Sequence, residues 1–268
     1  MSGHGKSFFK RVNAKWPWFK FALVIIVVFI VGTMFLILRN KTGDVEYAGR
    51  EITAPMQKHV RIVKDLTGKK LVALTFDDGP GAETTPRLLD ILSEKDVKAT
   101  FFELGKMARA NVEIVKRVAE EGHEIGSHTM YHQNLGKATA GTIRSDIGEA
   151  NAVFQGILGY VPSLMRPPYG STNAALKSNV GAPMILWTVD TMDWKYKNTE
   201  SILSYTTSEV FDGAIILMHD IHATTVDAVP VVIDTLRGMG YEFLTVSELA
   251  KIRGIELKNG VSYGSLKP

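Results

Sequence analysis

Short apolar runs alternate with amphipathic segments along most of this chain, from residue 70 onward. The runs have the length of strands, and the segments between them have the spacing of helices. The predicted strands cover residues 71–76, 98–104, 123–127, 163–166, 184–189, 214–219 and 241–246. The predicted helices cover residues 84–95, 107–121, 138–158, 172–179, 198–210 and 224–238. This alternation favours a parallel α/β fold, and both an open doubly wound sheet and a closed barrel fit it.

A different hydrophobic pattern occupies residues 21–38, which carry no charge. As a helix this segment would reach about 27 Å, close to the thickness of a bilayer's hydrocarbon core. Trp16 and Trp18 precede it, where interfacial aromatics are expected. Two other interpretations of this segment are disfavoured. The basic flanks argue against a buried core helix, and the lack of a small-residue cleavage site after Leu38 argues against a cleaved signal peptide. We therefore expect an uncleaved transmembrane helix.

The charges around this segment predict its orientation. Five Lys or Arg residues precede it and three lie in the 15 residues that follow it. This bias favours a cytoplasmic N-terminus and an extracellular remainder at the cell membrane. The predicted organisation is a basic cytoplasmic tail, a transmembrane anchor, an extracellular stalk, a folded domain and a C-terminal tail, over residues 1–20, 21–38, 39–67, 68–255 and 256–268.

Composition adds two exclusions. Residues 1–43 hold seven Lys or Arg and no acid, which leaves 24 basic against 28 acidic residues, a net charge of −4, for the rest. The basic pI of 8.9 thus comes from the N-terminus, and nucleic-acid binding by the folded domain is not expected. The chain has no cysteine, which excludes disulfides and thiolate metal ligands.

Polar side chains follow the ends of several predicted strands. They are Asp77 and Asp78, His128 and His132, Arg166, Asp190 and Asp193, and His219 and Asp220. Reactive groups at the carboxyl ends of many successive strands are typical of the mouth of a β/α barrel. An open sheet would concentrate them at one switch point, so the distribution favours the barrel.

Asp77 and Asp78 are adjacent carboxylates at the end of an apolar run. On a regular strand they would point to opposite faces, but past its end both can turn into one site with a cation between them. A solvated turn is the alternative. His128 and His132, four residues apart, could hold one ion together with Asp78, although hydrogen-bonded histidines are the commoner outcome for such a pair alone. One carboxylate and two imidazoles suit catalytic Zn²⁺, and also Fe²⁺ or Co²⁺.

Taken together in order, five motifs resemble those of the polysaccharide deacetylases of carbohydrate esterase family four, also called NodB-homology proteins. The motifs are Thr75-Phe76-Asp77-Asp78-Gly79-Pro80, His128…His132, Arg166-Pro167-Pro168-Tyr169-Gly170, Asp190…Asp193-Trp194 and Leu217-Met218-His219-Asp220. The resemblance covers roughly residues 69–250, and with the N-terminal anchor the chain looks like a membrane-anchored bacterial peptidoglycan N-acetylglucosamine deacetylase. It implies a distorted (β/α)7-type barrel, with residues 68–255 as the catalytic domain. Together with the apolar segment 21–38, the expected fold is this barrel preceded by a single N-terminal transmembrane helix.

The resemblance also implies a role for each matching residue. Asp78, His128 and His132 would hold a divalent metal, in the first place Zn, with Co or another ion as alternatives. Asp77 would be the general base, Arg166 its partner, His219 the general acid and Asp193 the group that keeps His219 charged. The backbone N–H of Tyr169 would stabilise an oxyanion, and Trp194 and Leu217 would enclose the acetyl methyl group. Asp190 matches a motif with a less defined contribution, and His222 is expected to be structural.

The implied activity is metal-dependent removal of N-acetyl groups from N-acetylglucosamine residues of cell-wall peptidoglycan. The expected partners are this glycan and the membrane, with no nucleic acid, and the chain is expected to be a monomer. Two alternatives are O-deacetylation of xylan or another polysaccharide, and glycan binding without catalysis. A phosphatase with Asp77 as aspartyl nucleophile is a third, but it would leave the two histidines without a function.

Overall fold

A central parallel strand organises the part of the chain that the computed structural model describes, which is Leu66 and residues 68–267. The predicted cytoplasmic tail and transmembrane anchor lie outside the described residues, as does the predicted stalk apart from Leu66. No helix among the described residues has the length and apolar character needed to cross a bilayer. The predicted parallel α/β architecture is confirmed.

The strands and helices alternate along the chain. The strands are β1 (Lys70–Asp77), β2 (Thr100–Glu103), β3 (Glu124–Ser127), β4 (Met184–Ile185), β5 (Val189–Asp190), β6 (Ala214–His219), β7 (Tyr241–Leu244) and β8 (Ser262–Tyr263). The helices are α1 (Thr84–Glu94), α2 (Gly105–Ala110), α3 (Val112–Glu120), α4 (Ala140–Leu158), α5 (Ala174–Asn179), α6 (Asp193–Tyr196), α7 (Thr199–Glu209), α8 (Ala223–Gly238) and α9 (Val246–Ile252). Short 3₁₀ turns occupy Leu135–Lys137 and Pro168–Gly170.

Strand β1 pairs in parallel with β2, β6 and β7, in a sheet ordered β3-β2-β1-β6-β5. Its first half pairs with β7, and its second half with β2. The register with β6 places Asp77 opposite His219. Because parallel strands end at the same edge, this register brings the ends of β1 and β6 side by side.

The strands are linked around a circuit in which one of the links is the chain itself. Met165 forms parallel bridges with Ser127 at the end of β3 and with Met184 in β4. A few residues later the same chain segment forms β5, whose Val189 pairs with Ile216 of β6. Bridges therefore lead from β3 by way of Met165 to β4, and the chain itself joins β4 to β5, which pairs with β6.

Alternate residues of β1 enter two hydrophobic clusters. Val72, Leu74 and Phe76 pack in the cluster that contains most of the buried helix residues. Leu71 and Ala73 pack in a second cluster, which includes Phe102, Ile185 and Ile215 from other strands. Since side chains alternate along a strand, Thr75 and Asp77 point to the same side as this second cluster, inside the circuit of strands.

Three predicted elements differ from the structure. The predicted strand 163–166 is reduced to the bridges at Met165, because the two prolines after Arg166 have no N–H to extend the pairing. The predicted strand 184–189 is divided into β4 and β5. The predicted helix 107–121 is divided at Asn111, where the backbone leaves the helical region with φ −132° and ψ 50°. The Asn111 side chain bonds to backbone carbonyls and competes with the helix there.

The packed domain also continues past the predicted boundary at residue 255. Strand β8 pairs with β4, and Ser265 forms an antiparallel bridge with Ala214 at the start of β6. Leu266 is completely buried in the second cluster. Most of the segment expected to be a tail is therefore in contact with the strands.

Candidate active site

Asp78, His128 and His132 form a cluster at the carboxyl ends of β1 and β3. Each offers one ligand atom, and these three atoms lie within 4.8 Å of one another. Oδ1 of Asp78 is 3.4 Å from Nε2 of His128 and 3.3 Å from Nε2 of His132. The structure thus brings together the three residues predicted as metal ligands.

The local backbone explains how the cluster forms. Asp78 directly follows β1 and has a left-handed φ of 75°, so the chain leaves the strand direction at this residue. His132 lies in the loop after β3 and also has a left-handed φ, of 59°. Nδ1 of His128 lies 2.8 Å from the carbonyl oxygen of Arg166. A carbonyl can only accept, so Nδ1 donates this hydrogen bond, and Nε2 is the ring nitrogen that faces the cluster.

The donor set fits a divalent metal. Oδ1 of Asp78 is buried and accepts no hydrogen bond of standard geometry. Burial opposes ionisation of Asp78, but its interactions with His128, His132 and His219 outweigh this and lower its pKa to about 2. Burial is also the main reason why the pKa of His132 is lowered, which favours the neutral imidazole that binds metals. One ionised carboxylate and two neutral imidazoles are ligands for Zn²⁺ and for related divalent ions such as Co²⁺.

Asp77 lies next to this cluster and is held by a buried arginine. Arg166 is completely buried, and its Nη1 donates to Oδ1 of Asp77 at 2.7 Å and to Oγ1 of Thr75 at 2.8 Å. Oδ2 of Asp77 lies 3.7 Å from Nε2 of His128. Arg166 therefore fixes Oδ1 of Asp77, and Oδ2 of Asp77 faces the cluster of candidate metal ligands.

The rest of the guanidinium of Arg166 is also satisfied inside the domain. Nε donates to the carbonyl of Ile185 at 3.0 Å and Nη2 to that of Leu186 at 3.1 Å. The guanidinium carbon lies 4.2 Å from the ring centre of Phe102. Hydrogen bonds and an aromatic face together compensate the burial of this charge.

His219 lies at the end of β6 and is bound by a buried carboxylate. Its Nδ1 is 2.8 Å from Oδ1 of Asp193, and its backbone N–H donates to Oδ2 of Asp193 at 2.7 Å. Thr225, in the first turn of α8, also donates to Oδ2, at 2.8 Å. Burial alone would lower the pKa of His219, but the hydrogen bond and charge of Asp193 raise it to about 9. His219 is therefore a cation at neutral pH.

The residues expected to contact substrate surround these groups. Tyr169 is 67% exposed, and its ring centre is 4.8 Å from that of His132. Trp194 is 49% exposed and follows Asp193 directly, donating its backbone N–H to Oδ1 of Asp193 at 2.9 Å. Leu217 is buried on β6, two residues before His219 and on the same side of the strand.

The two residues without a defined role also have places in the structure. Oδ1 of Asp190 accepts a hydrogen bond from the N–H of Met192 at 2.9 Å, which supports the left-handed Met192 (φ 55°) immediately before Asp193. The His222 ring centre lies 6.2 Å from that of His219. Burial lowers the pKa of His222, which is thus neutral at neutral pH.

Two threonines with direct contacts to the site were missed from the sequence, Thr75 and Thr225. Each resembles an ordinary strand or helix residue. For Thr75 a signal exists, since it is a polar residue within the apolar run of β1, on the same side as Asp77. For Thr225 the sequence contains no such signal.

Asp220 supports the loop that carries Asp78. It is almost completely buried and accepts a hydrogen bond from Oγ1 of Thr85, and burial raises its pKa to about 7. Its carboxylate lies directly against Gly79, where an added Cβ would clash with Oδ2 of Asp220. Glycine is therefore required at this close approach.

Comparison with known proteins yields one consistent family. A family profile described as Polysaccharide deacetylase matches residues 64–185. The peptidoglycan-N-acetylglucosamine deacetylase PgdA of Listeria monocytogenes is 40% identical over 226 residues, which are 84% of this chain and 48% of that protein. This chain thus spans about half the length of that curated relative.

Two solved structures show the same fold. A structure described as T48 deacetylase with substrate is 42% identical and superimposes with a TM-score of 0.71, covering 74% of this chain and 98% of the other. A family 4 acetyl xylan esterase from Clostridium thermocellum, in complex with a cobalt ion, is 35% identical with a TM-score of 0.70, covering 73% of this chain and 98% of the other.

Proposed function

Because this chain belongs to the polysaccharide deacetylase family, we propose that it removes N-acetyl groups from N-acetylglucosamine residues of cell-wall peptidoglycan. The observation that carries the proposal is the convergence of three candidate metal ligands with the carboxylate of Asp77 and the cationic imidazole of His219 at the ends of neighbouring strands. Amide hydrolysis needs an activated water and a proton for the departing amine, and these groups can supply both. The similarity to PgdA of Listeria monocytogenes supports peptidoglycan as the substrate.

Asp78, His128 and His132 would hold a divalent ion, in the first place Zn²⁺, with Co²⁺ as an alternative. When bound, the ion would supply Lewis-acid chemistry that activates water and polarises the acetamide carbonyl. The cobalt ion in the acetyl xylan esterase structure supports a divalent metal in this family.

The protein's own groups perform the proton transfers. Asp77, oriented by Arg166, accepts the proton of the attacking water. His219, kept cationic by Asp193, donates a proton to the amine of the sugar as it departs. The backbone N–H of Tyr169 stabilises the oxyanion, and Trp194 and Leu217 limit the acetyl pocket.

We extend the proposal to the whole chain. Residues 21–38 would anchor it in the cell membrane, with the catalytic domain on the extracellular side, where peptidoglycan lies. The domain is proposed to be a distorted (β/α)7-type barrel and to act as a monomer. Protease treatment of intact cells tests the orientation, since an extracellular domain is cleaved without lysis and a cytoplasmic one is protected.

Acetate release from peptidoglycan tests the activity. The full chain should release acetate, and mass spectrometry of wall fragments should show glucosamine in place of N-acetylglucosamine. Chelation and Asp77→Asn should each abolish acetate release. Asp90→Asn, which removes an exposed carboxylate of α1, should not abolish it. Acetate release that survives both treatments would refute the mechanism.

O-deacetylation of xylan or another polysaccharide is the second candidate. The likeness to an acetyl xylan esterase favours it, because ester and amide hydrolysis pass through the same kind of tetrahedral state. Comparing initial rates on O-acetylated xylan and N-acetylated glycan distinguishes the two. Tight glycan binding with no acetate release in the presence of Zn²⁺ or Co²⁺ would instead support a non-catalytic protein.

A further inference from the structure

Helix α4 presents a buried carboxylate to the loop that carries both histidines. Its other buried residues are apolar (Ile143, Ile147, Ala150 and Phe154), but Asp146 lies among them and is only 5% exposed. A carboxylate is rarely buried unless it accepts hydrogen bonds that compensate its burial. Its partners therefore indicate its function.

Asp146 binds the backbone of the histidine loop, residues 128–132. Its Oδ1 accepts a hydrogen bond from the N–H of Met130 at 2.8 Å, in buried surroundings. The carboxylate also interacts with the backbone N–H of Tyr131. Both groups lie between His128 and His132, so one side chain from α4 holds the middle of the loop.

The loop needs this support because its conformation is irregular. Thr129 and His132 have left-handed φ values of 72° and 59°, which β-branched and bulky residues rarely adopt. The N–H of His132 is bound by Oγ1 of Thr129 within the loop, at 3.2 Å. The carbonyls of Thr129 and Met130 accept from the first residues of α2, so the loop is fixed on one side by α2 and on the other by α4.

We propose that Asp146 is a positioning residue of the metal centre, which sets the separation of the two imidazoles by anchoring the backbone between them. It is not one of the three candidate ligands of the ion. The proposal rests on the proposed function only in that the cluster holds a divalent ion. Outer residues that orient metal ligands typically change metal affinity by about 10–100-fold when they are removed.

The test measures metal affinity directly, with the full chain freed of metal and without substrate. Zn²⁺ or Co²⁺ is titrated in competition with a chromophoric chelator. Asp146→Ala removes the acceptor and should weaken binding by about 10–100-fold. Asp146→Asn keeps an oxygen that can accept from Met130 and should remain within about threefold of the wild type. Ser145→Ala, at the exposed neighbouring position of α4, is the matched control and should bind as the wild type does.

Asp146→Glu provides a second variant, for the case that Asp146→Ala does not fold. It keeps the charge but displaces the oxygen by one methylene, so it should also weaken binding, and the visible spectrum of bound Co²⁺ should shift. At saturating metal, Asp146→Glu should lower kcat more than it raises KM, because the altered centre and not the glycan surface is affected.

Unchanged metal affinity and an unchanged Co²⁺ spectrum in the folded variants would overturn the proposal, as would an equal loss in Ser145→Ala. These outcomes are independent of the activity. A wild type that binds the ion but releases no acetate would refute the proposed function and leave this inference intact. An active enzyme whose metal affinity is unchanged in the Asp146 variants would refute this inference and leave the proposed function intact.

Discussion

Replacing Asp193 by Asn tests the proposed acid most directly. The substitution preserves the size of the side chain and an oxygen that can accept hydrogen bonds, but it removes the negative charge next to His219. Asp193 is completely buried, so its charge acts on the imidazole with little screening by water. The prediction is that the pH range in which the enzyme works becomes narrower on the basic side.

The structure gives the size of this effect. The pKa of His219 is raised from 6.5 to about 9, a difference that corresponds to roughly 3 kcal/mol in favour of the imidazolium. Without the carboxylate, burial opposes the charge, so the pKa should return to about 6.5 or below. At pH 8 the protonated fraction would fall from about 90% to about 3%, a loss of about 30-fold in active enzyme. At pH 6 about 76% of the variant would still be protonated, so the two enzymes should differ by only about 1.3-fold from this cause.

The assay is the pH dependence of kcat/KM for acetate release from an N-acetylated glycan, with metal at saturation. Asp190→Asn is the matched control, because Asp190 belongs to the same motif but bonds to Met192 and not to His219. In Asp190→Asn, kcat/KM should decline at high pH over the same pH range as in the wild type. If Asp193→Asn lowers activity by the same factor at every pH, or leaves the basic limb near pH 9, the assignment of His219 as a charged acid is wrong.

The same substitution should change stability in a pH-dependent manner. The folded-state pKa of His219 is raised, so its contribution to stability is complete below about pH 6.5 and is lost as the pH rises toward 9. The pKa of Asp193 is lowered, so its contribution is present above its usual value of 3.8 and is lost as the pH falls below it. Urea unfolding should therefore show the largest difference between wild type and Asp193→Asn between about pH 4 and 6.5.

Three further substitutions have defined outcomes. Arg166→Met should lower the free energy of unfolding by about 3–5 kcal/mol in urea, because it leaves Asp77 as an unpaired buried charge; adding Asp77→Asn should recover part of this loss. Gly79→Ala should destabilise the protein by about 1–3 kcal/mol, since its Cβ would meet the carboxylate of Asp220; a thermal unfolding midpoint equal to the wild type would contradict this contact. His132→Ala should weaken Zn²⁺ binding in chelator competition by more than the 100-fold expected for an outer residue, and wild-type affinity would exclude it as a ligand.

The sequence predicts the centre of the fold better than its periphery. Strand β1 is recognisable because it is buried on both faces and so reads as a continuous apolar run that ends in two carboxylates. Around Met165 the sequence predicts a strand over 163–166 where the structure has bridges at a single residue, since the apolar pattern does not show how far pairing extends. Strand β8 was missed for a similar reason, because two residues paired with β4 are too few to show alternation.

The site shows the same division. The candidate metal ligands and their neighbours follow strand ends and form motifs, so the sequence indicates them, and the structure brings them together. Asp146 lies 14 residues beyond His132, on a helix, and its contact with the Met130 N–H depends on how α4 packs. A sequence signal exists, since an acid interrupts the apolar face of α4. It indicates an unusual residue, but not the backbone group that this residue binds.

The left-handed backbone of Asp78, Thr129, His132 and Tyr169 has a consequence for engineering. Each of these residues is held in a conformation that its side chain disfavours, at an expense of roughly 1–3 kcal/mol that the surrounding contacts must offset. Glycine at Thr129 would relieve this strain, but it would also remove the hydroxyl that accepts the N–H of His132. A screen for stability alone does not detect the resulting loss of order in the two imidazoles, so variants selected at these four positions are expected to be poorer catalysts.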